Sequence, residues 1–158
     1  PMARNDLRDK LAEQVAESIK KGARAVVGGE TPDRKGAYYP ATVLVDVKPG
    51  QPAYGDELFG PVASVIRAEN DEDAMRIAND SRYGLGGGIF SRDEARARKL
   101  ASEQFDTGMI TLNGYNIALP NMPFGGVKNS GYGREHGGFG MKEFVNAKSI
   151  YMTDQEAK

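Results

Sequence analysis

The sequence predicts an α/β fold: a largely parallel open sheet with flanking helices, whose terminal strand serves oligomerisation. Three observations point there. Apolar residues at helical spacing alternate along the chain with short β-branched runs, the order in which helices and strands interleave in an open sheet. The helical segments begin at capping residues. The last apolar run is followed only by a polar tail, so no helix covers it and one edge stays open for pairing.

In order, Leu7, Leu11, Val15 and Ile19 recur every four residues beside Ala12 and Ala16, which predicts an amphipathic helix from Asn5 to Lys21, capped by Asn5 and ended by Gly22. Ala25-Val26-Val27 reads as a short strand, and 30–36 as a polar loop. Tyr39 to Val47, with alternation at Val43, Val45 and Val47, reads as a second strand. Residues 51–61 carry neither period. Val62 to Ala68 is the next strand. Asn70 then caps a helix whose first turn, Asp71, Glu72 and Asp73, suits the positive end of the helix dipole, with Ala74, Ile77 and Ala78 on its buried side. Leu85 to Phe90 is a strand. Ser91 and Glu94 have capping-box spacing before a helix over 92–105, and Gly108 to Asn113 is a further strand. After a glycine-rich connection come a short helix around Phe139 to Val145 and a last strand over Ala147 to Met152. The expected division is one body over 1–146 and an oligomerisation strand and tail over 147–158.

Composition narrows the function. The 158 residues hold 21 Lys and Arg against 22 Asp and Glu, a net charge of -1, which gives no electrostatic reason to expect nucleic acid or an anionic membrane as partner. No apolar run approaches the ~20 residues of a membrane span, and no signal-peptide pattern is present; a cytoplasmic location is the expectation. There is no cysteine, which rules out disulfides, thiolate metal sites and cysteine catalysis within this chain. No metal site is expected. Eleven of the 20 glycines lie at 84–88 and 125–140, where backbone must turn sharply or approach something closely.

Generic motifs fail when tested. Gly84-Leu85-Gly86 is followed by Ile89 where a dinucleotide fingerprint needs Gly, and Gly131-Tyr132-Gly133 by His136. Tyr132 stands where a phosphate loop starting at Gly126 needs Lys. His136 is the only histidine, so a triad or histidine metal site has little to build on, and a solvated or capping role is expected for it.

Glu57-Leu58-Phe59-Gly60-Pro61 is more informative. Residues two apart in extended backbone point to the same side. Glu57 could accept both hydroxyl protons of a ribose, and the Phe59 ring could pack on a flat heterocycle. The same segment also reads as a loop anchored by Phe59 with Glu57 solvated.

From Asp56 to Met152 the chain resembles the C-terminal part of an aldehyde dehydrogenase. Glu57-Leu58-Phe59-Gly60-Pro61-Val62 is similar to that family's motif whose Glu holds the nicotinamide ribose and whose Phe packs near the nicotinamide. Asn79 to Leu85 looks like its Ala-Asn-x-x-x-Tyr-Gly-Leu segment. Asn113, then Pro123-Phe124-Gly125-Gly126-Val127-Lys128, then Ser130-Gly131-Tyr132-Gly133-Arg134-Glu135 follow in family order. Pro1-Met2-Ala3-Arg4 resembles a Gly-Pro-Met/Leu segment downstream of the family nucleophile. Within the family, Ala3-Arg4-Asn5-Asp6-Leu7-Arg8-Asp9 and Glu143-Phe144-Val145-Asn146 are similar to the succinate-semialdehyde dehydrogenase branch.

The resemblance implies NAD or NADP as cofactor, an aldehyde as substrate oxidised to a carboxylic acid, and a homo-oligomer. It implies that Glu57 and Phe59 face the cofactor, and that Phe124, Ile117 and Tyr115 line the aldehyde tunnel. Glu135 would be a secondary acid or proton relay, with Arg134, Asn113 and Gly125, Gly126, Gly131 and Gly133 structural. In the family the nucleophilic Cys, the general-base Glu, the oxyanion-hole Asn and the main cofactor domain lie upstream, and this chain has no cysteine. The expectation is therefore a fragment, inactive alone. A free-standing, non-catalytic binding or assembly module derived from such an enzyme is the alternative.

Overall fold

A computed structural model describes residues 1–115 and 118–153, and these fall into two compact units, Pro1–Ile77 and Ala78–Lys158. The division falls inside a helix, where neither period nor composition signals it.

In the first unit, α1 (Asn5–Lys20) packs through Leu11, Val15 and Ser18, all essentially without solvent contact. Ile19, expected on that face, is 38 % exposed. The reason is geometric: at 100° per residue a strict four-residue repeat drifts about 40° per step, so the face follows positions 11, 15 and 18. Ser18 is buried because it is satisfied: its Oγ donates to the Gln14 carbonyl (2.7 Å) and accepts from the Ala53 N–H (2.9 Å). That second bond fastens α2 (Pro52–Gly55) onto α1. α2 was not expected, because four residues are too few to show a period. Asn5 is the first helical residue and not the cap; Arg4 precedes it and makes no capping bond. Gly22 does end the helix, at φ +104°.

β1 (Arg24–Val27) runs antiparallel to β2 (Thr42–Val45), with a bulge between Ala25 and Val27, and β2 runs parallel to β3 (Val62–Ser64). β2 buries Thr42 and Leu44. Asp46 then takes a left-handed backbone, φ +58°, which turns the chain and carries Val47 into the core. Leu11, Val15, Ala23, Tyr39, Leu44, Val47 and Ala53 form one cluster. In α3 (Asp71–Asn79), Asn70 Oδ1 accepts from the Asp73 N–H (2.9 Å) and Asp73 accepts from the Glu69 N–H (3.1 Å), a reciprocal cap. Arg76 on the same carboxylate helps hold its pKa below the usual range. Ala74 and Ile77 are only half-buried and Ala78 is exposed, against the expected buried side.

In the second unit, β4 (Tyr83–Gly84), β5 (Gly87–Ile89), β6 (Ile110–Leu112) and β7 (Val127–Lys128) form two small two-stranded sheets, and α4 spans Glu94–Glu103. β5 and β6 are parallel with α4 between them in sequence, a β-α-β unit; β4 and β7 are antiparallel. The expected strand over 85–90 is present in its centre as β5, and β4 just before it was not expected. Asp93 is the cap of α4, accepting from the Arg96 N–H (3.0 Å), while Ser91 accepts from the Asp93 N–H one turn earlier (3.1 Å). Gly140–Phe144 is a 3-10 helix. Ala147 to Met152 forms no strand, since it has no neighbouring strand among the described residues, and it lies exposed.

The protein is therefore a mixed α/β chain. The single, largely parallel sheet is not what the described residues form: two strand pairs are parallel and two antiparallel, in three small sheets. Among the described residues no helix is long and apolar enough to cross a membrane. Ala97 is the only buried apolar side chain among the described residues of the second unit, where Phe90, Met141, Phe144, Ile150, Tyr151 and Met152 are exposed.

Candidate functional site

The sequence-derived site residues fall on two patches, one in each unit. On the first unit, Leu58 packs against the core while Glu57 and Phe59 on either side are exposed, Phe59 to 76 %. The loop is therefore anchored by Leu58 and not by Phe59, and the i, i+2 pair presents one outward surface. Local backbone bonds shape it: the Gly60 N–H donates to the Leu58 carbonyl and the Val62 N–H to that of Gly60, both at 2.8 Å. The Thr42 N–H donates to the Pro61 carbonyl (2.9 Å), tying the loop to β2. Gly60 has a steric reason to be there. A Cβ at that position would collide with Leu11 of α1, so the helix that builds the core also sets the path of the loop.

Glu57 makes no hydrogen bond or ion pair among the described residues, so its carboxylate keeps all its acceptor capacity. An unpartnered carboxylate beside an exposed ring fits a ribose diol with a flat heterocycle attached.

On the second unit, Phe124 and Glu135 form an isolated antiparallel bridge, with N–H to carbonyl bonds of 2.9 and 2.7 Å. They line an open cleft of about 570 Å³ with Leu85, Tyr132, Arg134, His136, Glu143 and Phe144. Arg134 has the structural role expected: its guanidinium donates to the carbonyls of Gly126 (2.8 Å) and Gly133 (2.7 Å). The glycines are shape residues too. A Cβ on Gly126 would lie 2.6 Å from that of Ser130, and one on Gly108 would run into the Gly125 carbonyl. Asn113 clasps the Ser91 backbone, accepting from its N–H (2.8 Å) and donating to its carbonyl (2.9 Å), which joins the ends of β5 and β6.

The Glu135 side chain is exposed and engages no partner among the described residues. Tyr115 is 88 % exposed and is not among the residues lining the cleft. Ile117 lies outside the described residues. Sequence reasoning missed Tyr132, Glu143 and Phe144 as lining residues; their only signal was aromatic and acidic side chains close behind the glycine cluster.

The chain matches the model of the Aldehyde dehydrogenase family over residues 1–150. It is 45 % identical over 151 residues to a succinate semialdehyde dehydrogenase of Escherichia coli named for NAD(P)+, covering 96 % of this chain and 32 % of that protein. It is 46 % identical over 150 residues to an NADP+ succinate-semialdehyde dehydrogenase of Deinococcus radiodurans, covering 95 % of this chain and 31 % of the other. The crystal structure of a succinic semialdehyde dehydrogenase from Streptococcus pyogenes with NADP+ superposes with a TM-score of 0.92 at 37 % identity, over 98 % of this chain and 34 % of that one. The chain thus spans about a third of the length of the curated relatives it matches.

Proposed function

This chain belongs to the aldehyde dehydrogenase family, and from that premise we propose that it is the C-terminal part of the catalytic domain of an NAD(P)-dependent enzyme oxidising succinate semialdehyde or a similar aldehyde. The observation that carries this reading is the exposed Glu57–Phe59 pair on either side of Leu58, which packs partly buried against the core. A solvent-exposed phenyl ring on a rigid loop has no folding rationale of its own, whereas a ring beside a free carboxylate suits a nicotinamide riboside. The lack of any cysteine supports the placement, because the family's nucleophile lies upstream of this block of motifs. The exposed apolar side chains of the second unit support a chain that packs on further protein.

In the assembled enzyme the cofactor supplies hydride acceptance. The work of this chain is positional. Glu57 would accept hydrogen bonds from the two ribose hydroxyls, and Phe59 would pack beside the nicotinamide. Phe124 walls the aldehyde path, and Glu135 passes protons between the cleft and bulk water. A fusion of the upstream portion of a succinate-semialdehyde dehydrogenase to this chain tests the assignment. Aldehyde-dependent NAD(P)+ reduction by that fusion is expected; a folded fusion that oxidises no aldehyde sinks the reading.

In that enzyme Glu57→Gln is expected to weaken cofactor binding more than aldehyde binding. The amide keeps one acceptor and turns the other into a donor, so about one charge-assisted bond is lost, roughly 1.5–3 kcal/mol, or about tenfold or more in the cofactor KM. Unchanged cofactor dependence would leave Glu57 a loop residue only.

The segment 147–152 is proposed to gain a strand partner from a second subunit, in a homo-oligomer. Ile150, Tyr151 and Met152 are each more than four-fifths exposed, a stretch that pairing would cover. Light scattering is expected to show self-association of the chain that is lost when it is cut after Lys142, with circular dichroism confirming that the shortened chain stays folded. Equal monomeric masses for both would place no interface there.

A further inference from the structure

Four glycines between Gly131 and Gly138 take a positive φ: Gly131, Gly133, Gly137 and Gly138. His136 sits among them at φ +56°, a backbone that glycine adopts freely and that costs other residues roughly 1 kcal/mol or more. A segment that elsewhere meets this backbone with glycine carries a side chain here, so the side chain contributes something glycine would not. Its one contact of note is with Phe124: the two ring centroids are 5.7 Å apart and tilted by 43°, within the range of a favourable aromatic pair.

The backbone around the pair is already fixed. Phe124 and Glu135 bond to each other in both directions. The Gly137 N–H donates to the Pro120 carbonyl (3.2 Å), and a Cβ on Gly137 would lie 2.9 Å from the Pro123 nitrogen. The Phe139 N–H closes the turn on the His136 carbonyl (2.8 Å). What the backbone leaves undetermined is the Phe124 rotamer, since one side of that ring faces an open cleft. The imidazole supplies the missing wall. It makes no hydrogen bond among the described residues, so nothing else accounts for its placement.

The geometry points to His136 as a positioning residue that holds the Phe124 ring in place along the aldehyde cleft, and so sets the width of the cleft for the substrate. This rests on the functional reading above for the identity of the cleft. On this assignment His136 touches no reacting atom; it acts through Phe124.

The test uses the fusion enzyme described above with three variants. His136→Gly removes the ring and relieves the backbone, so folding is retained and the melting temperature is expected to stay level or rise. The aldehyde KM is expected to rise about three- to tenfold, the scale of an aromatic pair, with kcat and the cofactor KM unchanged. His136→Phe, which restores a ring, is expected to recover most of that loss. In a Phe124→Leu background, His136→Gly is expected to add nothing, since the two changes act through one contact. An unchanged aldehyde KM in His136→Gly, or an equal effect in both backgrounds, overturns the assignment. If the parent fusion oxidises no aldehyde, the functional reading fails by itself. The pair is then judged in the 158-residue chain by the aromatic NMR signals of Phe124, identified by Phe124→Leu. Signals that do not move in His136→Gly overturn the contact.

Discussion

Purified alone and supplied with NAD(P)+ and succinate semialdehyde, the 158-residue chain is expected to form no reduced cofactor. The family reaction passes through attack of a thiolate on the aldehyde, and no residue of this chain can supply one. The Ser91 and Ser130 hydroxyls are held instead in backbone roles, their oxygens accepting from the N–H groups of Asp93 and Gly84. Removing a covalent nucleophile from a working site costs on the order of a millionfold in turnover. Here the base and most of the cofactor surface are also expected to lie elsewhere, so the rate should fall to background. A reduction rate that tracks the protein through purification, and disappears when the chain is heat-denatured, would contradict the assignment of Glu57, Phe59, Phe124 and Glu135 as wall and clamp residues only.

Leu11→Ala is expected to cost about 2–5 kcal/mol of stability, a large part of the 5–15 kcal/mol typical of a domain. Leu11 is 1 % exposed, lies in the cluster with Val15 and Leu44, and stands directly against Gly60. Truncating it leaves a cavity under the loop that presents Glu57 and Phe59, so the loss should appear both in the denaturant midpoint and as a looser loop, read as faster amide exchange at Gly60 and Val62. Ile19→Ala is the matched control. That side chain is 38 % exposed on the same helix, and its removal should cost well under half as much. Equal midpoints for the two variants would refute the helix face described above.

The contrast between Leu11 and Ile19 shows where pattern reading stops. The period of α1 was visible and its extent correct to within a residue, because a 16-residue amphipathic helix repeats its signal several times. Which residues complete its face depended on the true 3.6-residue turn and on Ser18 finding two partners, one of them on an element too short to leave a period. The glycine cluster likewise announced tight backbone, but Gly60, whose constraint is Leu11 nearly fifty residues earlier, carried no local sign of it.

The sequence by itself determined that the chain mixes helices and strands and belongs with the aldehyde dehydrogenases. It also singled out Glu57 and Phe59 by their spacing, and Phe124 and Glu135 through the motifs that resemble the family's. Only the tertiary structure decided that Leu58 and not Phe59 is the anchor, that Phe124 and Glu135 are bonded neighbours, and that Tyr115 lies outside their cleft. It also resolved the expected sheet into small parallel and antiparallel pairs. The physical reason is the same in each case. Periodicity reports which side chains avoid water along one element, whereas anchors, bridges and strand partners are set by residues distant in sequence, whose approach leaves no local pattern to read.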